Sequence, residues 1–458
     1  MLAAMPSAPR SLVSIEDLSV GEILELFRHA EEFGADLTAW THLCRGAIMA
    51  TLFLEPSTRT RLSFEAAMHR LGGGVITVSD ASSSSQAKGE SLADTVRVVG
   101  GPYADIVVIR HPDDGAARVA ARYARVPVIN GGDGAHEHPT QTLCDLYTLW
   151  KEKGRLEGLD VVLCGDLRHS RTVHSFAYAL ARFRANIVTI PYPGLEMPQY
   201  VLDRLRREFG VQAIAASVGE LPGLAGKENS VAYLTASRPH QLALFTQPTI
   251  EQVQHIDAIY MTRAQRERHA GDEVRRENYP RLSGESLRSA MFKDARVMHP
   301  LPRLDEISHE VDDDPRAVYF RQAELGVPIR MALMAFLLGQ IRLDAEPPAR
   351  FAVQPGLSFD AHGGLRCRNE RCITNREGSG PVVRDFRLVE EATALLACAY
   401  CDKEVRAAFV GNAQTKEYVP VSVPAAARID LEHRVYFVSE EQAATAAYRP
   451  AATGDVAR

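Results

Sequence analysis

The sequence lacks the features that would place it in a membrane or on nucleic acid. Its longest apolar run, residues 331–338, is far shorter than the roughly 20 residues that a membrane-spanning helix needs. The first ten residues contain no apolar core typical of a signal peptide. The net charge of −6 gives no broad attraction to anionic polymers or lipids. We therefore expect a cytoplasmic protein that binds neither a membrane nor nucleic acid.

Cysteine is also scarce, with seven residues in 458. Three are scattered, at Cys44, Cys144 and Cys164. This distribution indicates small buried side chains in a reducing compartment. The other four form two close pairs, Cys367-x4-Cys372 and Cys398-x2-Cys401. Such pairs can place four thiolates tetrahedrally around Zn²⁺, which predicts a structural zinc site, with disulfides as the less favoured alternative.

What the chain does contain is an alternation of short apolar runs with helical patterns. The runs that predict strands are residues 47–53, 74–78, 106–109, 126–129, 160–163, 185–190, 258–261 and 296–298. Ser19 and Glu22 form a capping box that predicts the start of a helix. A helix from Pro139 is predicted to connect two halves of the chain. The alternation predicts two successive α/β domains with parallel sheets, whose ligands bind at the carboxyl ends of strands.

These patterns divide the chain into parts with different expected structures. The parts are a first domain at 1–150 with a returning helix at 325–343, a second domain at 151–324, a linker at 344–364, a small β-rich zinc domain with four cysteines at 365–440, and a flexible tail at 441–458. The linker is rich in proline and glycine, and the tail is rich in alanine. The predicted fold class is therefore α/β, with a small β-rich module added.

A candidate anion site follows the first predicted strand. Ser57-Thr58-Arg59-Thr60 stands where a helix is predicted to begin, so backbone N–H groups, hydroxyls and a guanidinium can converge on one phosphate. Taken alone, the motif is equally typical of a helix cap with solvated arginines. Further polar strings occur at other strand ends, at residues 110–112, 138–141, 171–174, 261–265 and 299–303. Their recurrence favours a shared binding site.

Together and in this order, the strings resemble those of aspartate carbamoyltransferases, over about residues 13–343. These enzymes transfer the carbamoyl group of carbamoyl phosphate to L-aspartate in the first committed step of pyrimidine synthesis. The resemblance implies a reaction without a catalytic cofactor, because the amine of aspartate attacks the carbonyl directly. It also implies a homotrimer or a larger homo-oligomer with shared active sites.

The resemblance assigns a role to each polar string. The phosphate is expected to contact Ser57, Thr58, Arg59 and Thr60, and the carbonyl oxygen is expected to contact Thr60, Arg110 and His138. The carbamoyl amide is expected to contact Gln141 and the backbone of Pro300 and Leu301. The aspartate carboxylates are expected to contact Arg171, Arg263 and Gln265. Residues 80–90 resemble a loop that enters the neighbouring subunit's site. In that loop, Ser84 or alternatively Ser85 is expected to contact phosphate, and Lys88 both phosphate and aspartate. The expected catalytic residues are Arg59, Thr60, Lys88, Arg110 and His138.

Two alternatives remain open on the sequence. One is a carbamoyltransferase that uses another amino acid. Ornithine is disfavoured as that amino acid, because an ornithine enzyme would need an acid for the distal amine and usually has a Ser-Met-Gly loop and a cysteine at the position of Pro300, which this chain lacks. A non-catalytic homologue assembling with another pyrimidine enzyme would not need so many cations in one cleft.

The cysteine segment, residues 365–409, resembles the zinc domain of the regulatory chain of bacterial aspartate carbamoyltransferases, without its effector domain. This resemblance predicts a clasp between catalytic subunits, without nucleotide feedback through this chain. An apparent insertion at residues 221–248 carries no recognisable motif.

Overall fold

The computed structural model describes residues 9–79, 88–216, 255–265, 279–348, 358–360, 365–377 and 382–451. Within these ranges the chain forms two parallel α/β domains and a β-rich C-terminal part. Short 3-10 helices cover Ile15–Asp17, Ser286–Arg288, Ala290–Phe292, His309–Asp313 and Leu431–His433. The predicted fold class is confirmed. The insertion at 221–248 lies outside the described residues.

The first domain is built on a four-stranded parallel sheet. Its elements are α1 (Val20–Ala35), β1 (Ile48–Phe53), α2 (Thr58–Arg70), β2 (Gly74–Val78), α3 (Leu92–Val99), β3 (Ile106–His111), α4 (Ala116–Tyr123) and β4 (Val128–Asp133). The strand order is β2-β1-β3-β4. Helix α1 begins at the predicted capping box, where Ser19 and Glu22 each accept a hydrogen bond from the other's backbone N–H. All four carboxyl ends meet at one edge, so the loops after the strands lie together.

Helix α5 (Pro139–Lys153) connects the first sheet to the second, as predicted. The second domain contains β5 (Asp160–Gly165), α6 (Arg171–Arg182), β6 (Asn186–Pro191), α7 (Gln199–Phe209), β7 (Ile214–Ala215), β8 (Ala258–Met261) and β9 (Arg296–Met298). Its parallel strands follow the order β7-β6-β5-β8-β9. Helix α8 (Tyr319–Leu337) then returns to the first domain and packs against α1 and α2. The chain therefore crosses between the domains twice.

One apolar core runs through both domains and holds α5 in place. Leu143, Leu146 and Tyr147 of α5 are buried in it together with Phe27 and Met331. A helix buried on most of its surface has little freedom to rotate or shift. The start of α5, with His138 as its N-cap and Gln141 in its first turn, is therefore held rigidly at the domain junction.

The C-terminal part contains two small sheets. Its elements are β10 (Ser358–Asp360), α9 (Ile373–Arg376), β11 (Asp385–Glu390), β12 (Leu395–Cys398), β13 (Glu404–Arg406), β14 (Phe409–Asn412), β15 (Glu417–Pro420), α10 (Pro424–Ala427), β16 (Arg434–Phe437), α11 (Glu440–Thr445) and β17 (Arg449–Pro450). The first sheet has the order β10-β11-β12-β13, and its pairs are antiparallel. The second has the order β16-β14-β15-β17. We call residues 358–360, 365–377 and 382–408 the cysteine module.

Two expectations about connecting segments do not hold for the described residues. Within the expected linker at 344–364, Ser358–Asp360 forms a strand that pairs with β11. Within the expected tail at 441–458, residues 441–451 are ordered, because Ser439 caps α11 and β17 pairs with β15. Ala443 and Tyr448 are buried there, so small residues that suggested fraying instead fill a compact core. Residues 452–458 lie outside the described part.

The cysteine module docks on the first domain of its own chain. The backbone N–H of Asp114 donates to the carbonyl of Arg371 at 2.9 Å, and that of Ile373 donates to the carbonyl of Asp114 at 3.0 Å. Gly115 has a φ of +83°, and a Cβ there would lie 2.6 Å from the side chain of Tyr400. Only glycine tolerates both this conformation and this close approach. The module and the first domain are therefore in close backbone contact at residues 114 and 115.

Candidate active site

The predicted site residues meet in one cleft between the two α/β domains. The cleft has a volume of about 650 Å³ and lies at the carboxyl ends of strands from both sheets. The predicted residues that line it are Ser57, Thr58, Arg59, Thr60, Arg110, His138, Gln141, Arg171, Arg263, Gln265, Pro300 and Leu301. They come from six loops that are far apart in sequence. The structure therefore brings together every predicted substrate contact outside the 80–90 loop.

Of the residues predicted to contact substrate from the 80–90 loop, only Lys88 is described. Lys88 is exposed and is not among the residues that line the cleft. Ser84 and Ser85 lie outside the described residues. Among the described residues, Lys88 is thus the one predicted substrate contact that does not line the cleft of its own chain.

The charge of the cleft is strongly positive. Among the described residues that line it are five arginines, at positions 59, 110, 171, 263 and 330, and one carboxylate, Glu55. Partial burial, together with the positive charge of Arg263, lowers the pKa of Arg59. Cations held this close repel one another without an anion between them. The cleft is therefore suited to a ligand with several negative charges.

The loop before α2 provides the most direct anion contacts. Ser57 is the N-cap of α2 but makes no capping hydrogen bond through its side chain. Its hydroxyl and the N–H groups of the first turn are therefore available to a ligand, together with the positive end of the helix dipole. This geometry favours the phosphate-binding interpretation of the motif over the interpretation as a simple cap.

Glu55 links two of the arginines, a feature that the sequence analysis missed. Its Oε2 lies 2.8 Å from Arg171 and 3.3 Å from Arg110. Gly132, with φ of +115°, passes beside them, and a Cβ there would lie 3.0 Å from both guanidinium groups. The glycine lets the two arginines approach the β4 backbone. The signal available in the sequence was the position of Glu55 two residues before the phosphate motif.

His138 is fixed at the start of α5. It is 4% exposed, and its backbone N–H donates to Ser175 Oγ at 3.0 Å. Thr140 Oγ1 lies 3.3 Å from His138 Nδ1. If the hydroxyl donates, the neutral ring carries its proton on Nε2, and that N–H can donate to a substrate oxygen.

Gln141 is oriented by a buried acid that sequence reasoning also missed. Its Nε2 donates to Asp145 Oδ1 at 2.8 Å, which leaves the amide oxygen to accept a hydrogen bond. Asp145 also accepts from Tyr260 and Gln322. Burial raises the pKa of Asp145 to about 6. A glutamine held in this way presents an acceptor, and a carbamoyl NH₂ group is a matching donor.

The loop after β9 is held by His299. The backbone N–H of Leu301 donates to His299 Nδ1 at 2.8 Å, and His299 Nε2 lies 2.8 Å from Glu306 Oε1. Both side chains are almost fully buried. Leu301 has a φ of +54°, which is uncommon for a residue other than glycine. A strained backbone maintained by buried hydrogen bonds is frequent at functional sites.

The four paired cysteines converge in the cysteine module. Their sulfur atoms all lie within 4.8 Å of one another, and all four side chains are buried without a disulfide. The Sγ atoms of Cys367 and Cys401 are 3.4 Å apart, and those of Cys372 and Cys398 are 3.8 Å apart. Tetrahedral Zn²⁺ with bonds of about 2.3 Å needs S···S distances of about 3.8 Å. The cluster therefore fits a four-sulfur metal site.

Within the described residues, no helix is both long and apolar enough to span a membrane.

Three family descriptions match successive parts of the chain. Residues 10–151 match the carbamoyl-phosphate-binding domain of aspartate/ornithine carbamoyltransferases, and residues 214–337 match their aspartate/ornithine-binding domain. Residues 361–410 match the metal-binding domain of the aspartate carbamoyltransferase regulatory chain.

Individual proteins show the same similarity. The chain is 45% identical over 333 residues to the aspartate carbamoyltransferase catalytic subunit of Clostridium botulinum (strain Okra), covering 72% of this chain and 98% of the relative. It is 44% identical over 337 residues to the catalytic subunit of Thermoplasma acidophilum, with the same coverage.

Solved structures agree. The catalytic subunit of aspartate transcarbamoylase from M. jannaschii matches with a TM-score of 0.58 and 40% identity, over 72% of this chain and 98% of that one. The Trypanosoma cruzi enzyme, solved in complex with carbamoyl phosphate and aspartate, matches with a TM-score of 0.59 and 36% identity over the same fractions. These findings confirm the predicted family. The chain belongs to the aspartate carbamoyltransferases, and it carries in tandem the metal-binding domain of their regulatory chain.

Proposed function

We propose that this chain transfers the carbamoyl group of carbamoyl phosphate to the amine of L-aspartate, forming N-carbamoyl-L-aspartate and phosphate for pyrimidine synthesis in the cytoplasm. The single observation that carries this proposal is the convergence of five arginines from both domains on one cleft. Carbamoyl phosphate and L-aspartate together bring a phosphate and two carboxylates. Arginine is well suited to each of these groups, because its planar fork matches their paired oxygens.

The roles follow from position in the cleft. Ser57, Thr58 and Arg59 hold the phosphate at the start of α2. Arg110, Thr60 and His138 donate to the carbonyl oxygen, which becomes negative when the amine attacks.

The remaining residues select and orient the two reacting groups. Gln141 and the backbone of Pro300 and Leu301 hold the carbamoyl NH₂ group. Arg171, Arg263 and Gln265 bind the aspartate carboxylates. The amine attacks the carbonyl carbon, the tetrahedral intermediate collapses, and phosphate leaves, so catalysis consists of positioning and electrostatic stabilisation.

The test is product formation with competing amines. We expect ¹³C-labelled carbamoyl phosphate to give labelled N-carbamoyl-L-aspartate, and an equal concentration of L-ornithine to give no labelled citrulline. Labelled citrulline as the main product would contradict the proposal, and unreacted carbamoyl phosphate with either amine would favour the non-catalytic alternative.

We also propose that Lys88, with Ser84 or Ser85, completes the site of a neighbouring subunit in a homotrimer. The exposed position of Lys88 outside its own cleft supports this arrangement. So does β2, an edge strand of the first sheet, beside which Ile48, Leu62 and Ile76 are 38–51% exposed. Unpaired strand edges with apolar neighbours are usually covered by a partner.

The shared site can be tested by mixing two inactive variants. If Lys88→Ala and His138→Ala chains are dissociated and reassembled together, some sites receive both native residues, and activity is expected to return. Mixed trimers that remain inactive would contradict sharing.

We propose that the cysteine module binds one Zn²⁺ as a closed structural site held by Cys367, Cys372, Cys398 and Cys401. The four buried sulfurs support this assignment, because thiolates favour zinc over harder cations. Metal analysis of the purified chain is expected to find one zinc per chain. Iron in its place would contradict the assignment.

The proposed absence of nucleotide feedback is tested separately, by measuring activity with CTP and ATP. Strong, saturable inhibition by CTP would contradict it.

The predicted clasp between catalytic subunits is tested by measuring the mass of the assembly before and after chelation of the metal.

A further inference from the structure

A second polar cluster lies behind the cleft, where the cysteine module meets the first domain. It is centred on Asp402, the residue after Cys401, which is 5% exposed and has a φ of +58°. Its carboxylate lies 2.7 Å from Arg118, 2.7 Å from Arg387 and 3.0 Å from His136 Nε2. Asp402 belongs to the cysteine module, whereas Arg118 and His136 belong to the first domain.

The composition of this cluster suggests a metal site, but its contacts do not. The ligand atoms of His136, Glu137 and Asp402 lie within 4.8 Å of one another. The guanidinium of Arg118 already lies 2.7 Å from Asp402 and 3.7 Å from Glu137. A cation held against both carboxylates takes the role that a metal would have. The cluster is therefore an ion-pair network.

The network fixes the turn at residues 133–138, which leads from β4 into α5. His136 is held on both sides, because its Nδ1 lies 3.1 Å from Asp133 Oδ2 and its Nε2 contacts Asp402. Asp133 in turn accepts from the backbone N–H groups of Gly115 and Glu137. Burial opposes charge on His136, but the carboxylates of Asp133 and Asp402 together outweigh it and raise the pKa of His136 well above its usual value.

The other cysteine pair reaches the same turn by a second route. Asn369 lies between Cys367 and Cys372, and its Nδ2 donates to Asp114 Oδ2 at 2.7 Å. The other carboxylate oxygen of Asp114 accepts from the backbone N–H of Ala135 at 2.7 Å. The module therefore reaches the turn twice, directly from Asp402 to His136 and from Asn369 through Asp114 to Ala135.

This turn carries groups that face the cleft. It ends at His138, and its Gly134 carbonyl accepts from the guanidinium of Arg171 at 2.8 Å. Gly134 has a φ of +48°, and a Cβ there would lie 1.7 Å from Asp114 Oδ1, so the turn packs closely against Asp114 and has no room for a side chain at this position. A displacement of the turn would move His138 and Arg171 together. The loop at Ser57–Thr60, in contrast, makes no described contact with the cysteine module.

We propose that Asp402 and Asn369 are positioning residues for carbamoyl transfer, which hold the 133–138 turn, and through it His138 and Arg171, in the geometry that the reaction needs. The inference rests on the proposed function. It makes the cysteine module a support of the active site within the same chain, besides any role in assembly. A misplacement of reacting groups by about 1 Å can cost around a hundredfold in rate.

The test compares three variants of the full-length chain with bound metal. Asp402→Asn keeps the size of the side chain and tolerates the left-handed backbone, but it removes the charge. Asn369→Asp keeps the local turn but places a second carboxylate against Asp114. The matched control is Glu404→Gln, because Glu404 is another acid of the module that pairs with Arg207 on α7 at 2.6 Å and makes no described hydrogen bond or ion pair with residues 133–138.

For Asp402→Asn we expect kcat/KM for L-aspartate to fall about 10- to 100-fold, with both a lower kcat and a higher KM. Inhibition by inorganic phosphate should change less than twofold, because the Ser57–Thr60 loop is untouched. Amide hydrogen exchange at residues 133–138 should accelerate. Asn369→Asp should show the same pattern with smaller changes, and Glu404→Gln should match the wild type.

The inference would be overturned if a folded, metal-bound Asp402→Asn chain had the kinetics and the amide hydrogen exchange of the wild type. It would also be overturned if Glu404→Gln lost as much kcat/KM as Asp402→Asn. The double variant Asp402→Asn with His136→Asn should lose no more kcat/KM than His136→Asn alone. Additive losses of kcat/KM would contradict the route through His136. Asn369→Asp provides the test if Asp402→Asn fails to fold. If the wild type forms no carbamoyl-aspartate, the proposed function fails, while the exchange measurement still tests the positioning of the turn.

Discussion

Glu55 and Arg171 form an ion pair at 2.8 Å across the junction of the two α/β domains. Glu55 follows β1 of the first domain, and Arg171 begins α6 of the second. The same carboxylate lies 3.3 Å from Arg110, so one acid pairs with two of the cations expected to bind substrates. The carboxylate holds both guanidinium groups in the cleft, at a position that a substrate anion is expected to approach.

This relationship predicts a kinetic defect for Glu55→Gln. Without the carboxylate, Arg110 and Arg171 repel each other and lose their shared anchor, so we expect kcat to fall about 10- to 100-fold. Phosphate inhibition should not weaken, because the cleft becomes more positive. Steady-state kinetics with both substrates varied measures this effect. The control is Glu157→Gln, since Glu157 and Arg184 form an exposed pair, and a comparable defect there would refute the explanation.

Arg59→Ala and His138→Ala should each lower kcat by roughly 10²–10³, because each removes a donor aimed at developing charge. The fold should remain intact, since Arg59 is exposed to the cleft and the backbone of His138 keeps its bond to Ser175. Turnover and circular dichroism provide the check. Full carbamoyl-aspartate production by either variant would contradict the assigned roles.

Arg263→Ala should raise the KM for L-aspartate much more than it weakens inhibition by phosphate, because Arg263 is assigned to a carboxylate. Arg263→Lys should recover only part of the loss, since an ammonium group keeps the charge but not the planar fork. The two KM values, measured at saturating carbamoyl phosphate, test this specificity. Equal KM values for the wild type and Arg263→Ala would exclude Arg263 from the aspartate site.

The buried His174 should make stability depend on pH. Burial lowers the pKa of His174 to about 4, while an unfolded histidine titrates near 6.5. Between these values the unfolded chain binds more protons at this residue, so its contribution to stability is lost as the pH falls. From pH 7 to 5 this loss is about 2 kcal/mol.

Urea unfolding at both pH values, for the wild type and for His174→Gln, isolates this contribution. Between pH 7 and pH 5, the free energy of unfolding of His174→Gln should fall by about 2 kcal/mol less than that of the wild type. Other buried groups titrate in the same pH range in both proteins. The contribution of His174 is therefore given by the difference between the two pH-dependent losses, not by either loss alone. Identical losses would show that His174 is not held neutral.

The sequence predicted those parts of the fold and site that depend on local patterns. Eight of the nine described strands of the two α/β domains, all except β7, the capping box at Ser19 and the helix from Pro139 follow from periodicity and capping chemistry. Twelve of the residues that line the cleft were predicted from short strings whose order resembles one family. Such signals are contained in a few consecutive residues.

Features that depend on contacts between distant segments could not be predicted in this way. The pair of Glu55 with Arg171 and the contact of Asp402 with His136 join residues more than a hundred positions apart. The alanine-rich end of the chain looked flexible because small residues have no periodic pattern, yet Ala443 fills a core provided by Phe437 and Tyr448. The face of the first domain that receives the cysteine module likewise became visible only in the folded chain.

The most direct test of the account is the release of phosphate from carbamoyl phosphate, measured with and without L-aspartate alongside N-carbamoyl-L-aspartate. The account predicts release that depends on L-aspartate, one product molecule per phosphate, and a loss of both in Arg59→Ala. Phosphate release that is indifferent to L-aspartate, or that persists at the wild-type rate in Arg59→Ala, would contradict it.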